Sequence, residues 1–179
     1  AGALEEATLG GDSPPRKAAR LSRQVLERTG WELIQSEAWQ QAFELSRDLA
    51  ADGEDESTLL MAGVALNGLK RHREAEDYLR RAASGNGEVS QYAPAELARA
   101  VLLQDRHDEA ERLLIDRLVS VDEPLRDQRA VAHYVETLRE VFAARGDRDK
   151  DREAVNALRR AKVPIAVLQS LERAPSTSP

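Results

Sequence analysis

The residue types that could bind a metal or move a proton are three histidines, His72, His107 and His133, and 32 carboxylates, with no cysteine among them. Disulfides, thiolate catalysis and Cys-ligated zinc are therefore excluded. His133 lies on a helical stretch with no His or Cys at ligand spacing, so a metal reading lacks its second ligand. His72 and His107 share one place in a short repeated pattern, which points to packing rather than acid–base work. Asp147-Arg148-Asp149-Lys150-Asp151 has the opening spacing of a calcium loop. Such a loop needs Gly at its sixth position and Glu at its twelfth, where this chain has Arg152 and Leu158. The run reads better as a helix start whose acidic side chains offset the dipole. Gly85-Asn86-Gly87 lacks the glycine and lysine of a phosphate loop. There is no G-x-S-x-G elbow, no His-Glu-x-x-His and no nucleophile with an evident base. The chain is read as non-enzymatic, with no metal and no cofactor.

The bulk composition narrows the class further. The 179 residues suffice for one domain or one compact solenoid. Charged residues make up 32%, hydrophobic ones 41% and aromatics only 4%, which suits a soluble helical protein with a core of Leu, Ala and Val. A net charge of -6 argues against general nucleic-acid binding, because neutralising phosphates needs a basic surface. No apolar run approaches the roughly 20 residues needed to cross a bilayer. A start at Ala1 fits either a trimmed chain or a mature one whose export signal has gone, and no acylatable cysteine begins it. The compartment, cytoplasmic or periplasmic, stays open.

The elements that would position any site all read as helices, since no segment shows sustained strand alternation. Residues 1–13 read as a flexible segment, with Ser13 as N-cap and Pro14 opening a first helix that runs to about Ser36. Its buried stripe is predicted as Leu21, Val25, Leu26 and Leu33. Further helices are predicted at 37–51, 56–69, 71–83, 94–103 (or from Val89), 107–121, 124–145, 148–161 and 164–173. The spacing of Leu59, Ala62, Gly63 and Leu66, and that of Ala75, Tyr78, Leu79 and Ala82, gives each of those two helices one apolar face. Predicted inward residues farther along are Ala110, Leu113, Leu114 and Leu118, then Val131, Tyr134, Val135, Leu138, Val141 and Phe142, then Ile165, Leu168 and Leu171. The tail 174–179 reads as disordered.

Four stretches repeat one pattern: Trp39-Gln40-Gln41-Ala42, His72-Arg73-Glu74-Ala75, His107-Asp108-Glu109-Ala110 and Asp151-Arg152-Glu153-Ala154. Their alanines lie 33, 35 and 44 residues apart. A period of roughly 33–35 residues marks stacked helical hairpins. Gly30, Gly63 and Ala98 each lie twelve positions before the matching alanine, so both helices of a hairpin carry a small residue where their backbones must close to about 8–10 Å. Leu26-Gly30 with Trp39-Ala42, and Leu59-Gly63 with Ala75-Leu79-Ala82, resemble the tetratricopeptide repeat. The third repeat departs from it at Pro94 and Arg117, and the fourth at Phe142, with an extra ten or so residues before it.

The resemblance implies an all-α, right-handed superhelix of antiparallel hairpins, with repeats at about 22–55, 56–88 and 90–122, a degenerate hairpin at 124–162 and a capping helix at 164–173. It also implies a concave groove for a peptide or helix of another protein. The matching positions are Gln24, Glu27, Trp31 and Gln35, then Leu60, Val64 and Asn67, then Tyr92, Arg99 and Leu103. Glu27 and Trp31 stand where one subset of the family uses lysine and asparagine to clamp a terminal carboxylate, so that ligand is not expected. Trp31 is equally an anchor for a partner or a residue buried under a neighbouring helix. Leu60, Val64 and Leu103 would floor the groove, with Gln35, Asn67 and Arg99 fixing register. The acidic stretch 52–56 is a solvated connection or a dock for a basic partner, and Arg159-Arg160-Ala161-Lys162 is a basic helix end. The expected role is scaffold or assembly factor. The alternatives are a bacterial chaperone for type III secretion and the helper domain of an enzyme. Self-association through 124–145 and 164–173 is a further alternative.

Overall fold

A computed structural model describes residues 14–51, 53–87, 89–120, 127–160 and 163–172. The expectations placed on residues 1–13, on Pro124 and on the tail 174–179 lie outside them. Nine α-helices and no strand occur among the described residues: α1 Pro14–Gln35, α2 Trp39–Ala51, α3 Glu56–Gly68, α4 His72–Ala83, α5 Ala93–Leu102, α6 His107–Val119, α7 Gln128–Arg145, α8 Arg148–Arg160 and α9 Ile165–Glu172. A short 3-10 turn, Val89–Gln91, precedes α5. The chain is all-α. Each helix from α1 to α6 packs on the next, and α1 also touches α3, α3 touches α5, and α5 touches α7.

The period of the sequence reappears in the backbone. Glu37, Lys70 and Asp105 are the non-glycine residues with positive φ among those described, at 58°, 61° and 61°. Each lies five residues before the alanine of its repeat. Their turns have one hydrogen-bond pattern. The amide of the left-handed residue donates three residues back: Glu37 to Ile34, Lys70 to Asn67, Asp105 to Leu102. The next amide donates five back: Ala38 to Leu33, Arg71 to Leu66, Arg106 to Val101. This is the Schellman closure of a helix end, built three times without glycine. The fourth hairpin closes differently, with Gly146 at φ 67° and Asp147 accepting from the amides of Asp149 and Lys150. The turn at Glu37 explains why α2 starts at Trp39 rather than at residue 37.

Packing follows the small residues. Ala42, Ala75 and Ala110 are fully buried. A Cβ on Gly63 would overlap the Leu79 side chain of α4, at 2.6 Å from Cδ2. One on Gly68 would sit 2.6 Å from Cε2 of Trp39, so Trp39 closes over the end of α3. Helix α3 is central. Thr58 to Gly63 and Ala65 to Asn67 are all buried, so the predicted single apolar face is corrected to a helix enclosed nearly all round. It is closed at its start by a capping box, in which Asp55 accepts from the Thr58 amide at 2.8 Å and Thr58 Oγ1 accepts from the Asp55 amide at 3.2 Å.

The opposite correction applies to α1. Val25 is 58% and Leu26 42% exposed, although both were placed on its buried stripe. No described element precedes α1 to cover that side. Helix α8 is fastened through Arg145, whose Nη1 donates to Glu111 and whose Nη2 donates to Asp151 at 2.7 Å. Val167, Leu168 and Leu171 of α9 join the core.

Candidate functional site

The offsets that relate the turns also relate the proposed site residues: Trp31, Val64 and Arg99 occupy one position in successive hairpins. Their helices are neighbours that run in one direction. Arg23, midway along α1, reaches Asp55 just before α3, and Gly30 lies against Met61 seven residues further along α1. Likewise Tyr92, just before α5, bonds Asp127, just before α7, and Arg99 bonds Glu140 farther on.

Along this row the apolar contribution is uneven. Trp31 and Val64 are half-buried and pack on the core. Leu103 is 51% exposed. Leu60 is only 3% exposed and belongs to the core cluster, which removes it from an open floor. Gln24 and Gln35 are exposed, while Glu27 accepts from Arg23 at 3.0 Å.

The polar residues expected to read a partner are mostly engaged within the chain. Asn67 is buried and donates from Nδ2 to the Glu96 carbonyl at 3.3 Å, with its Oδ1 3.4 Å from His72 Nδ1. Arg99 donates to Glu140 at 2.9 Å and stands 3.6 Å from Glu96. Tyr92 donates to Asp127, the N-cap of α7, which also accepts from the Arg129 amide at 2.8 Å. These two hydrogen bonds hold the Asp127 carboxyl below its ordinary range.

At the centre of this network is Glu96, 8% exposed, with His133 Nε2 2.8 Å from its carboxylate. Burial pushes the Glu96 pKa up, but the His133 hydrogen bond and the charge of Arg99 outweigh it, and the carboxyl stays below the usual range. Burial, with some repulsion from Lys70, lowers the His72 pKa. The cluster joins α3, α4, α5 and α7 as a structural bolt. Among the described residues no three His, Cys, Asp or Glu side chains group as metal ligands. The sequence reading does not single out Glu96, but the repeat offset gives it the place that the fully buried Met61 holds one hairpin earlier. A carboxylate at a core position calls for a buried partner, and His133 is that partner.

The acidic stretch is also internally bonded. Arg23 donates to Gly53 at 2.9 Å and to Asp55 at 2.7 Å, and Glu54 pairs with Arg81. Glu56 accepts from the amides of Asn86 and Gly87 at 2.7 and 2.8 Å. A cleft of about 630 Å³ beside Val89 is lined by Glu54, Asp55, Glu56, Arg81 and Gly87, with Leu59 on its apolar side. Residues 53–56 therefore tie the first two hairpins to each other and to the loop after α4.

No family model, curated protein or solved structure matches this chain.

Proposed function

We propose that this chain is a non-catalytic protein-interaction module, a tetratricopeptide-like stack of hairpins that holds a peptide or helix of a partner protein along the row of Trp31 and Val64. It acts as a scaffold or assembly factor. The observation that carries the reading is the threefold recurrence of one hairpin: the left-handed residues Glu37, Lys70 and Asp105, each five residues before a buried alanine. Equivalent residues on neighbouring parallel helices make a linear array, and a linear array suits an extended or helical ligand. Binding would come from Trp31, Val64 and Leu103, with Gln24 and Gln35 free to hydrogen-bond. Asn67, Tyr92 and Arg99 hold the wall behind the ligand rather than touching it.

The test is an affinity pull-down read by quantitative mass spectrometry, comparing wild type with a Trp31→Ala/Val64→Arg variant. The reading requires a defined set of proteins captured by wild type and lost from the variant. An identical set on both would refute it.

A further inference from the structure

Two asparagines of this chain precede a glycine: Asn67-Gly68 and Asn86-Gly87. An asparagine can react with its own backbone when the next peptide nitrogen reaches its side-chain Cγ. A following glycine leaves that approach unobstructed, because it has no Cβ. As sequence the two pairs are equivalent. The fold makes them unequal.

Asn67-Gly68 closes α3. Asn67 is 9% exposed, its Nδ2 donates to the Glu96 carbonyl at 3.3 Å, and its backbone carbonyl accepts from the Lys70 amide at 3.0 Å. Ring closure needs a ψ far from the helical value, so at Asn67 it would break the last turn of α3 and the bond to Glu96 together. Asn86-Gly87 lies in the loop between α4 and the 3-10 turn. Both residues are exposed, and among the described residues no partner holds the Asn86 carboxamide.

The restraint on Asn86 comes from Glu56, the first residue of α3. Its carboxylate accepts from the Asn86 amide at 2.7 Å and from the Gly87 amide at 2.8 Å. The second bond falls on the nitrogen that must attack. That nitrogen becomes a nucleophile only on losing its proton, and a carboxylate beside it opposes the negative charge so formed. The same bond fixes the plane of the 86–87 peptide. Glu56 is therefore a brake on an otherwise open site.

We propose that Asn86 is a site of spontaneous deamidation in the folded protein, slowed by Glu56, while α3 protects Asn67. The Gly87 nitrogen gives its proton to hydroxide and forms a bond to Asn86 Cγ. The Cγ–Nδ2 bond breaks, and the side-chain nitrogen takes a proton from water and leaves as ammonia. Water then opens either carbonyl of the resulting succinimide, which gives aspartate or isoaspartate. Either product sets a new carboxylate in the loop that Glu56 holds, where like charges repel.

The test incubates the full chain in mildly alkaline buffer, folded and in urea. Acid-protease digestion and mass spectrometry then follow both sites, with aspartyl and isoaspartyl peptides separated by chromatography. In the folded chain Asn86 should convert about tenfold faster than Asn67, to both products. In urea the two rates should converge. Glu56→Ala should speed Asn86 about threefold while Asn67 stays slow, which shows that the variant is folded. If Asn67 accelerates as well, Glu56→Gln, which removes the charge and keeps the size, gives the same comparison. Equal rates at the two sites of the folded chain, or conversion to aspartate alone, would overturn the proposal. So would an Asn86 rate that is unchanged or lower in a folded Glu56 variant.

Discussion

Gly63 of α3 and Leu79 of α4 are in such close apposition that a single methyl group at position 63 would overlap the leucine side chain, at 2.6 Å from Cδ2. This contact sets the spacing of the second hairpin. Gly63→Ala should cost about 1–3 kcal/mol by overpacking, and Leu79→Ala about 2–5 kcal/mol by cavity formation. In the double variant the new methyl enters the space the leucine left, so the combined loss falls short of the sum. Urea unfolding of the four chains measures this; additive losses would separate the two residues.

The three non-glycine turns carry strain that glycine would relieve. A left-handed non-glycine residue costs roughly 1–2 kcal/mol, partly offset by the greater unfolded-state entropy of glycine. Lys70→Gly and Asp105→Gly should each stabilise by about 0.5–1 kcal/mol. Gly146→Ala, at φ 67°, should destabilise by a similar amount. Thermal melts of the three variants check both signs.

Acid should loosen the attachment of α7 to α5. The Glu96 pKa is lower folded than unfolded, so its contribution is fully present above the ordinary carboxylate range and is lost as pH falls through the folded value. Glu96→Gln should flatten the acid limb of stability against pH. Glu96→Ala, which leaves His133 and Arg99 without their buried anion, should cost about 2–3 kcal/mol at neutral pH. Denaturant titrations from neutral to acid pH supply the comparison, and an unchanged acid limb in Glu96→Gln would remove Glu96 from the account.

Arg145, with only 7% of its side chain exposed, joins α6, α7 and α8 through Glu111 and Asp151, and its guanidinium lies 5.7 Å from the Phe142 ring centre. Arg145→Met keeps the stem and removes the charge, leaving two half-buried carboxylates. The expected loss is about 2 kcal/mol, with faster amide exchange in α8 before the first three hairpins are affected. Uniform loss of protection along the chain would contradict a local fastening.

Much of this fold was legible because small residues at hairpin crossings leave a period that side-chain chemistry cannot hide. Gly63, Ala75 and Ala110 marked the contacts, and the helices fell within a few residues of the predicted bounds. The errors were in how many sides a helix buries. Periodicity gives α3 one apolar face of Leu59, Ala62, Gly63 and Leu66, yet neighbours enclose it on several sides. On α1 periodicity gives a stripe that includes Val25 and Leu26, although no described element precedes that helix to bury them. The site was less legible. Position in the repeat marks where Asn67, Tyr92 and Arg99 stand, but not that Glu96, Asp127 and Glu140 engage them, because those partners come from other helices.

The most direct test is a titration of the captured partner segment into wild-type and Val64→Arg chains by calorimetry, with circular dichroism on both. Loss of binding with an unchanged helical spectrum and melt is the predicted result. Equal affinity in a folded Val64→Arg chain would contradict the account.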